Sequence, residues 1–215
     1  MGPAAVTNNR VVLGFDLRIR SDAGMVGQPR EGTFLDPRRV SPISADPAVW
    51  PMNEEADARW GGLLPDFLNP LYLATNLDTL IDAYESAGFP LSNLCPICIT
   101  SDPTITISLN KRFGPGYFEH QPTEMELLSQ GWRFQGFDVV DLDGSISGLK
   151  GCDYSEPTWS QLRKYYGEQL NDEGLFFDAT VAYHFAEVRG LEIRQHAPFV
   201  VVGILTQDRV HLAIS

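Results

Sequence analysis

Apolar and polar residues alternate over 11–20, VVLGFDLRIR: Leu13, Phe15, Leu17 and Ile19 share one face, and Gly14, Asp16, Arg18 and Arg20 take the other. A period of two belongs to a half-buried strand. The period changes to that of a helix over 77–87, where Leu77, Leu80, Ile81 and Tyr84 form one stripe. Asn76 caps that helix, Asp78 complements its positive end, and Gly88 followed by Pro90 ends it. Alternation returns in TITISL, 104–109, which predicts a second strand. Thr123 and Glu126 make a capping box for a short helix containing Met125, Leu127 and Leu128. A short strand is predicted over Phe137–Val140, with a turn at Asp143-Gly144. Ser155 then caps a helix in which Trp159, Leu162, Tyr166 and Leu170 recur on one side. A further helix begins after Asp178, buries Val181, Phe185 and Val188, and stops at Gly190 with Leu191 packing back. Phe199–Leu205, FVVVGIL, is almost wholly apolar, as a strand buried on both faces at the centre of a sheet must be.

Strands and helices are interspersed without regular βαβ alternation, so the fold class is α+β. The expected architecture is a mixed, mainly antiparallel sheet, its apolar C-terminal strand central, packed by three to four helices. The 215 residues form a single domain, 1–215. Within it, 21–70 is an irregular segment packed on the rest, and 71–215 is an acidic α+β core. The irregular segment holds seven of the 15 prolines, together with Trp50 and Trp60 to hold it down. No internal repeat and no low-complexity tract is read along the chain.

Composition narrows the function classes. The apolar fraction is 43%, enough for a packed core, yet no run of about 18 apolar residues would span a membrane. Without a cationic, apolar leader at the N-terminus, and with three cysteines rather than a disulfide set, a reducing cytoplasmic compartment is expected. The net charge is −12, and residues 61–215, with 9 basic against 20 acidic groups, hold almost all of it. That field repels nucleic acid and anionic membrane and attracts a basic protein. A monomer or a homodimer is equally compatible with it.

No chemical constellation is complete. Cys95-Pro-Ile-Cys98 has the spacing of a redox or zinc pair, but no second pair supplies the remaining zinc ligands, and buried structural thiols are the simpler reading. Asp138, Asp141 and Asp143 resemble a calcium loop until Val139 and Lys150 fall where oxygen donors are required. His120, His184, His196 and His211 are scattered. Gly114-Pro115-Gly116 follows Lys111 and Arg112 and reads as a plain loop rather than an anion cradle. No cofactor, metal or catalytic set is therefore assigned. Of the aromatic pairs Tyr165-Tyr166 and Phe176-Phe177, one member of each should enter the core. Tyr166 is taken as core, while Tyr165 is open to core or interface.

Four further strings stand in order: Gly136-Phe137-Asp138-Val139-Val140-Asp141, Ser147-Gly148-Leu149-Lys150-Gly151-Cys152-Asp153-Tyr154, Asn171-Asp172-Glu173-Gly174-Leu175-Phe176 and His196-Ala197-Pro198-Phe199. Across about 131–206 the chain resembles a family of uncharacterised bacterial proteins with this pattern, departing from it at Gly151, where the family has Asn, and at Asp153, where it has Gly. Such proteins in turn resemble immunity proteins of bacterial toxin systems. The resemblance implies a cytoplasmic protein that binds and neutralises a cognate protein toxin by blocking its active site. Asp141, Asp143, Tyr165, Asp172 and Glu173 are the expected partner contacts. Within the second string, Gly148 and Gly151 are expected to allow positive φ in a tight connection. Two other readings stand beside this one: a small hydrolase using Asp138, Asp141 and His196, and a regulatory protein-binding module unrelated to toxins.

Overall fold

The computed structural model describes residues 9–19, 68–71, 73–86, 88, 91, 94–119, 121–142, 147–149, 156–194 and 197–207. Four strands, β1 (Val11–Ile19), β2 (Leu94–Ser101), β3 (Arg133–Asp141) and β4 (Phe199–Thr206), form one sheet in the order β1-β2-β4-β3. Every pairing is antiparallel. The C-terminal strand is central, as its apolar run requires, and every residue of β2 and β4 is buried. Among the described residues, five α-helices accompany the sheet: α1 (Leu77–Ser86), α2 (Pro103–Phe113), α3 (Glu124–Ser129), α4 (Glu156–Tyr166) and α5 (Ala179–Glu192). The fold is α+β. Ser155, the Asp143-Gly144 turn and most of 21–70 lie outside the described residues.

Local signals account for most boundaries. Asn76 Oδ1 accepts from Thr79 N–H at 3.0 Å and starts α1. Thr123 and Glu126 exchange both bonds of the capping box before α3, and Asp178 Oδ1 accepts from Thr180 N–H at 2.7 Å before α5. Three expectations are corrected. TITISL is helical: Asp102 caps α2 and Pro103 takes its first turn, a start signal that outweighs the alternation. The β-branched threonine is accommodated because Thr106 Oγ1 donates back to Pro103 O at 2.7 Å. α5 runs past Gly190 to Glu192, and Ile193, not Leu191, turns into the core. Gly148 is not among the positive-φ glycines; a Cβ there would stand 3.0 Å from Val139 O, and close approach is what it permits.

A fourth correction concerns the absence of a repeat, because the sheet is built twice from the same parts. Gly14-Phe15-Asp16 on β1 and Gly136-Phe137-Asp138 on β3 occupy equivalent places. The register of β1 slips between Val12 and Gly14, and that of β3 between Phe134 and Gly136. After the slip Gly14 faces Ile99, and Gly136 faces Ile204. Ile99 and Ile204 are themselves directly paired. A pseudo-twofold axis normal to the sheet therefore passes between β2 and β4 at that pair.

An asparagine-centred loop closes each outer edge. Asn69 Nδ2 donates to Leu13 O at 2.7 Å, and its Oδ1 accepts from Leu71 and Leu73 N–H. Asn171 Nδ2 donates to Gln135 O at 2.6 Å, and its Oδ1 accepts from Glu173 and Leu175 N–H. Phe15 exchanges both backbone bonds with Ala74, and Phe137 does the same with Phe176. The loops thus occupy edge backbone groups that would otherwise template another strand. Only glycine fits beneath them. A Cβ on Gly14 would lie 2.6 Å from Leu73 Cβ and 2.9 Å from Ala74 O. On Gly136 it would lie 2.8 Å from Leu175 Cβ and 2.9 Å from Phe176 O.

Candidate functional site

Several groups with chemical potential are committed to the interior. Asp138 is 0% exposed. Its Oδ1 accepts from Val139 N–H and from Ser147 Oγ, both at 2.7 Å, and Ser147 Oγ accepts from Leu149 N–H at 3.1 Å. Asp16, its counterpart in the first half, accepts from Leu17 N–H at 2.7 Å and pairs with Arg18 at 2.5 Å. Burial pushes the Asp16 carboxyl up from its ordinary range, and the adjacent Arg18 opposes that shift. These carboxylates fasten strands and loops. Asp141, expected among the partner contacts, is buried at the end of β3, so the acidic surface is drawn without it. Asp143 and His196 lie outside the described residues, as do His120, His211 and Cys152.

The cysteine pair lies within β2. Residues three apart on a strand point to opposite faces, so Cys95 and Cys98 cannot join or share an ion. Both are buried. Burial pushes the Cys98 thiol well up, and the nearby Glu124 adds to the shift. Among the described residues, no three His, Cys, Asp or Glu side chains gather where they could hold a metal ion. Gly114 ends α2, donating to Asn110 O at 2.9 Å, with a φ of 99°.

Sequence reading passed over a buried polar network beside the pseudo-axis. Arg10 Nη2 donates to Thr100 O at 2.8 Å and to Val201 O at 3.2 Å, so one guanidinium spans both central strands. Its Nε lies 3.4 Å from Glu124 Oε2, which accepts from Thr100 Oγ1 at 2.5 Å. Arg10 also donates to the Tyr183 hydroxyl and lies over the Phe137 ring, 5.2 Å from its centroid. Desolvation lowers the Arg10 pKa, and Glu124 opposes that shift. A Cβ on Gly203 would stand 2.6 Å from Thr100 Oγ1, which explains a glycine inside the most apolar strand.

The remaining expected contacts reach solvent. Tyr165 is 64% exposed, Asp172 is exposed and Glu173 half-buried. Tyr166 is buried, and Tyr165 stands edge-on to it with centroids 4.8 Å apart. His184 Nδ1 lies 2.8 Å from the Tyr166 hydroxyl, and its ring is 6.0 Å from that of Tyr165. Phe176 is fully buried, whereas its neighbour Phe177 is 57% exposed. Each aromatic pair therefore divides between core and surface. From Tyr165 to Ile193 the chain carries six carboxylates, and its one cation in that stretch, Arg189, is buried. Among the described residues no helix is long and apolar enough to cross a membrane. No family model, curated protein or solved structure matches the chain.

Proposed function

We propose that this chain is an immunity-type protein that binds a cognate, basic bacterial toxin and neutralises it by blocking its active site. The reading rests above all on the net charge of −12 and on the surface of 165–193, which carries six carboxylates and exposed aromatic rings between the exposed cations Lys164 and Arg194. An anionic face of this kind accelerates encounter with a cationic protein. Exposed aromatics supply the anchors that carry much of the free energy at protein interfaces. Where the target is a nuclease, Asp172 and Glu173 stand in for the phosphates its active site holds. The burial of Asp138, with its Oδ1 bonded to an amide and a hydroxyl, favours binding over hydrolysis.

Co-expression with the product of the neighbouring reading frame tests the proposal. Growth arrest caused by that product should be relieved by this protein and should return when the carboxylates of 165–193 are neutralised. Equal arrest with and without this protein would sink the reading.

A further inference from the structure

What both halves of the sheet keep, although they fill their interiors differently, answers to a demand they share. β1 and β3 are its outer strands. Along each, alternate residues direct their backbone N–H and C=O away from the sheet, where a further strand could pair. On β1 these residues are Leu13, Phe15 and Leu17, and on β3 they are Gln135, Phe137 and Val139. Their outward groups are met in the same order. Asn69 Nδ2 donates to Leu13 O, as Asn171 Nδ2 does to Gln135 O. Ala74 engages both groups of Phe15, and Phe176 both groups of Phe137. Two residues further on, Leu17 N–H donates to Asp16 Oδ1 and Val139 N–H to Asp138 Oδ1, each at 2.7 Å.

That last bond is what the two buried aspartates have in common. Asp16 pairs with Arg18 and Asp138 with Ser147, so their second partners differ. Enclosing a carboxylate is costly, and an apolar side chain of similar size would fill the space without that cost. An apolar side chain cannot, however, occupy an outward N–H in place of a neighbouring strand's carbonyl. The sealing continues beyond the shared elements. Gly148 N–H donates to Val139 O, and at the start of β1 Val12 N–H donates to Pro122 O and Glu124 N–H to Arg10 O.

We infer that Gly-Phe-Asp and its asparagine loop form an edge seal that holds the sheet at four strands, and that the partner it excludes is the same edge of a second copy of this chain. Two identical edges pair antiparallel about a twofold axis, and a second copy is the occupant always at hand. Behind the seal on β3 stand Phe137, Val139 and Val140, an apolar stretch of the kind that pairs readily once uncovered. The inference is independent of the toxin reading.

Sedimentation velocity over a concentration series tests it on the full chain. Asp138→Ala removes the cap and Asn171→Ala loosens the loop, and each should self-associate with a dissociation constant at least about tenfold below that of the wild type. Asp138→Asn keeps an oxygen acceptor beside Val139 and should stay within about twofold of the wild type. Val202→Ala, on the neighbouring strand with the seal intact, controls for destabilisation and should also match the wild type. Each protein is compared at the same interval below its own thermal midpoint. At dilutions that keep Asn171→Ala monomeric, its Phe137 and Val139 amides should exchange about tenfold faster than in the wild type, and association should protect them again. Asn171 is half-buried, so this variant carries the test should Asp138→Ala not fold. Four results would each overturn the inference: association no stronger than in the wild type, equal association by Val202→Ala, Asp138→Asn associating as strongly as Asp138→Ala, or assemblies that leave these amides exchanging.

Discussion

The half built on β1 and β2 and the half built on β3 and β4 share an edge clamp almost atom for atom, yet they fill the space around it differently. Asn69 and Asn171 make the same three kinds of bond, and Gly14 and Gly136 lie beneath them at the same slip in register. Behind the clamps the solutions diverge. Asp16 is matched by Arg18, whereas Asp138 holds Ser147. Across the pseudo-axis the Cys98–Leu205 pair is covered by the apolar Leu127 and Trp132. Its symmetry counterpart, Thr100 with Gly203, is covered by Arg10 and Glu124. The difference separates two kinds of constraint. A clamp that brings backbone within van der Waals limits admits one residue type. A core space can be filled by any set that matches its volume and satisfies its polar atoms.

The sharpest way to break the comparison is to add a methyl group under either clamp. Gly14→Ala and Gly136→Ala should each cost about 3 kcal/mol or more, because backbone and Cβ atoms stand within 3 Å of the new carbon. Urea denaturation would measure both, and a loss at one site alone would show that the two clamps are not equivalent. Next come the asparagines. Asn69→Ala should cost about 3 kcal/mol and Asn171→Ala about 2 kcal/mol, since the buried Asn69 leaves its partners with less access to water.

At the axis, Gly203→Ala should cost about 2 kcal/mol by crowding Thr100 and Glu124, and Cys98→Ala about 1 kcal/mol by leaving a small cavity. A reversed order would mean that the polar filling is the more compliant of the two. Consistent with its raised pKa, the Cys98 thiol should resist alkylation in the native protein at pH 8 and react once denaturant is added. The smallest effect belongs to the surface: Tyr165→Ala should change stability by less than about 0.5 kcal/mol, although it removes a proposed partner contact.

Much of the fold could be read from the chain. β1, α1, α3 and the central β4 follow from periodicity and caps, and the start of α5 from Asp178. α2 was missed because the alternation of TITISL resembles a strand, while Asp102-Pro103 marks a helix. The duplication was missed although both copies are written out: Gly-Phe-Asp at 14–16 and 136–138, Leu-Asn-x-x-x-Leu at 68–73 and 170–175. The spacing between the two strings differs between halves, so no fixed period betrays them. The same strings account physically for part of the resemblance. Gly136, Asp138, Asn171, Leu175 and Phe176 belong to the clamp or fasten its strand, which gives them a structural reason to recur independent of any partner. For the surface, the chain revealed the carboxylates and the ambivalence of Tyr165, but not that Phe177, Tyr183 and Leu191 face outward beside it.

By itself, the sequence determined where β1, α1, α3, α5 and β4 begin, which strand is most apolar and what sign of field surrounds the molecule. Each of these depends on neighbouring residues or on a sum over the chain. Tertiary structure alone decided that Asn69 bonds Leu13 across 56 positions and that Arg10 reaches Val201 across 191. It also decided that Cys95 and Cys98 face apart and that Asp138 turns inward. A hydrogen bond or a burial is fixed by what the completed sheet brings alongside, and neither spacing nor composition carries that information.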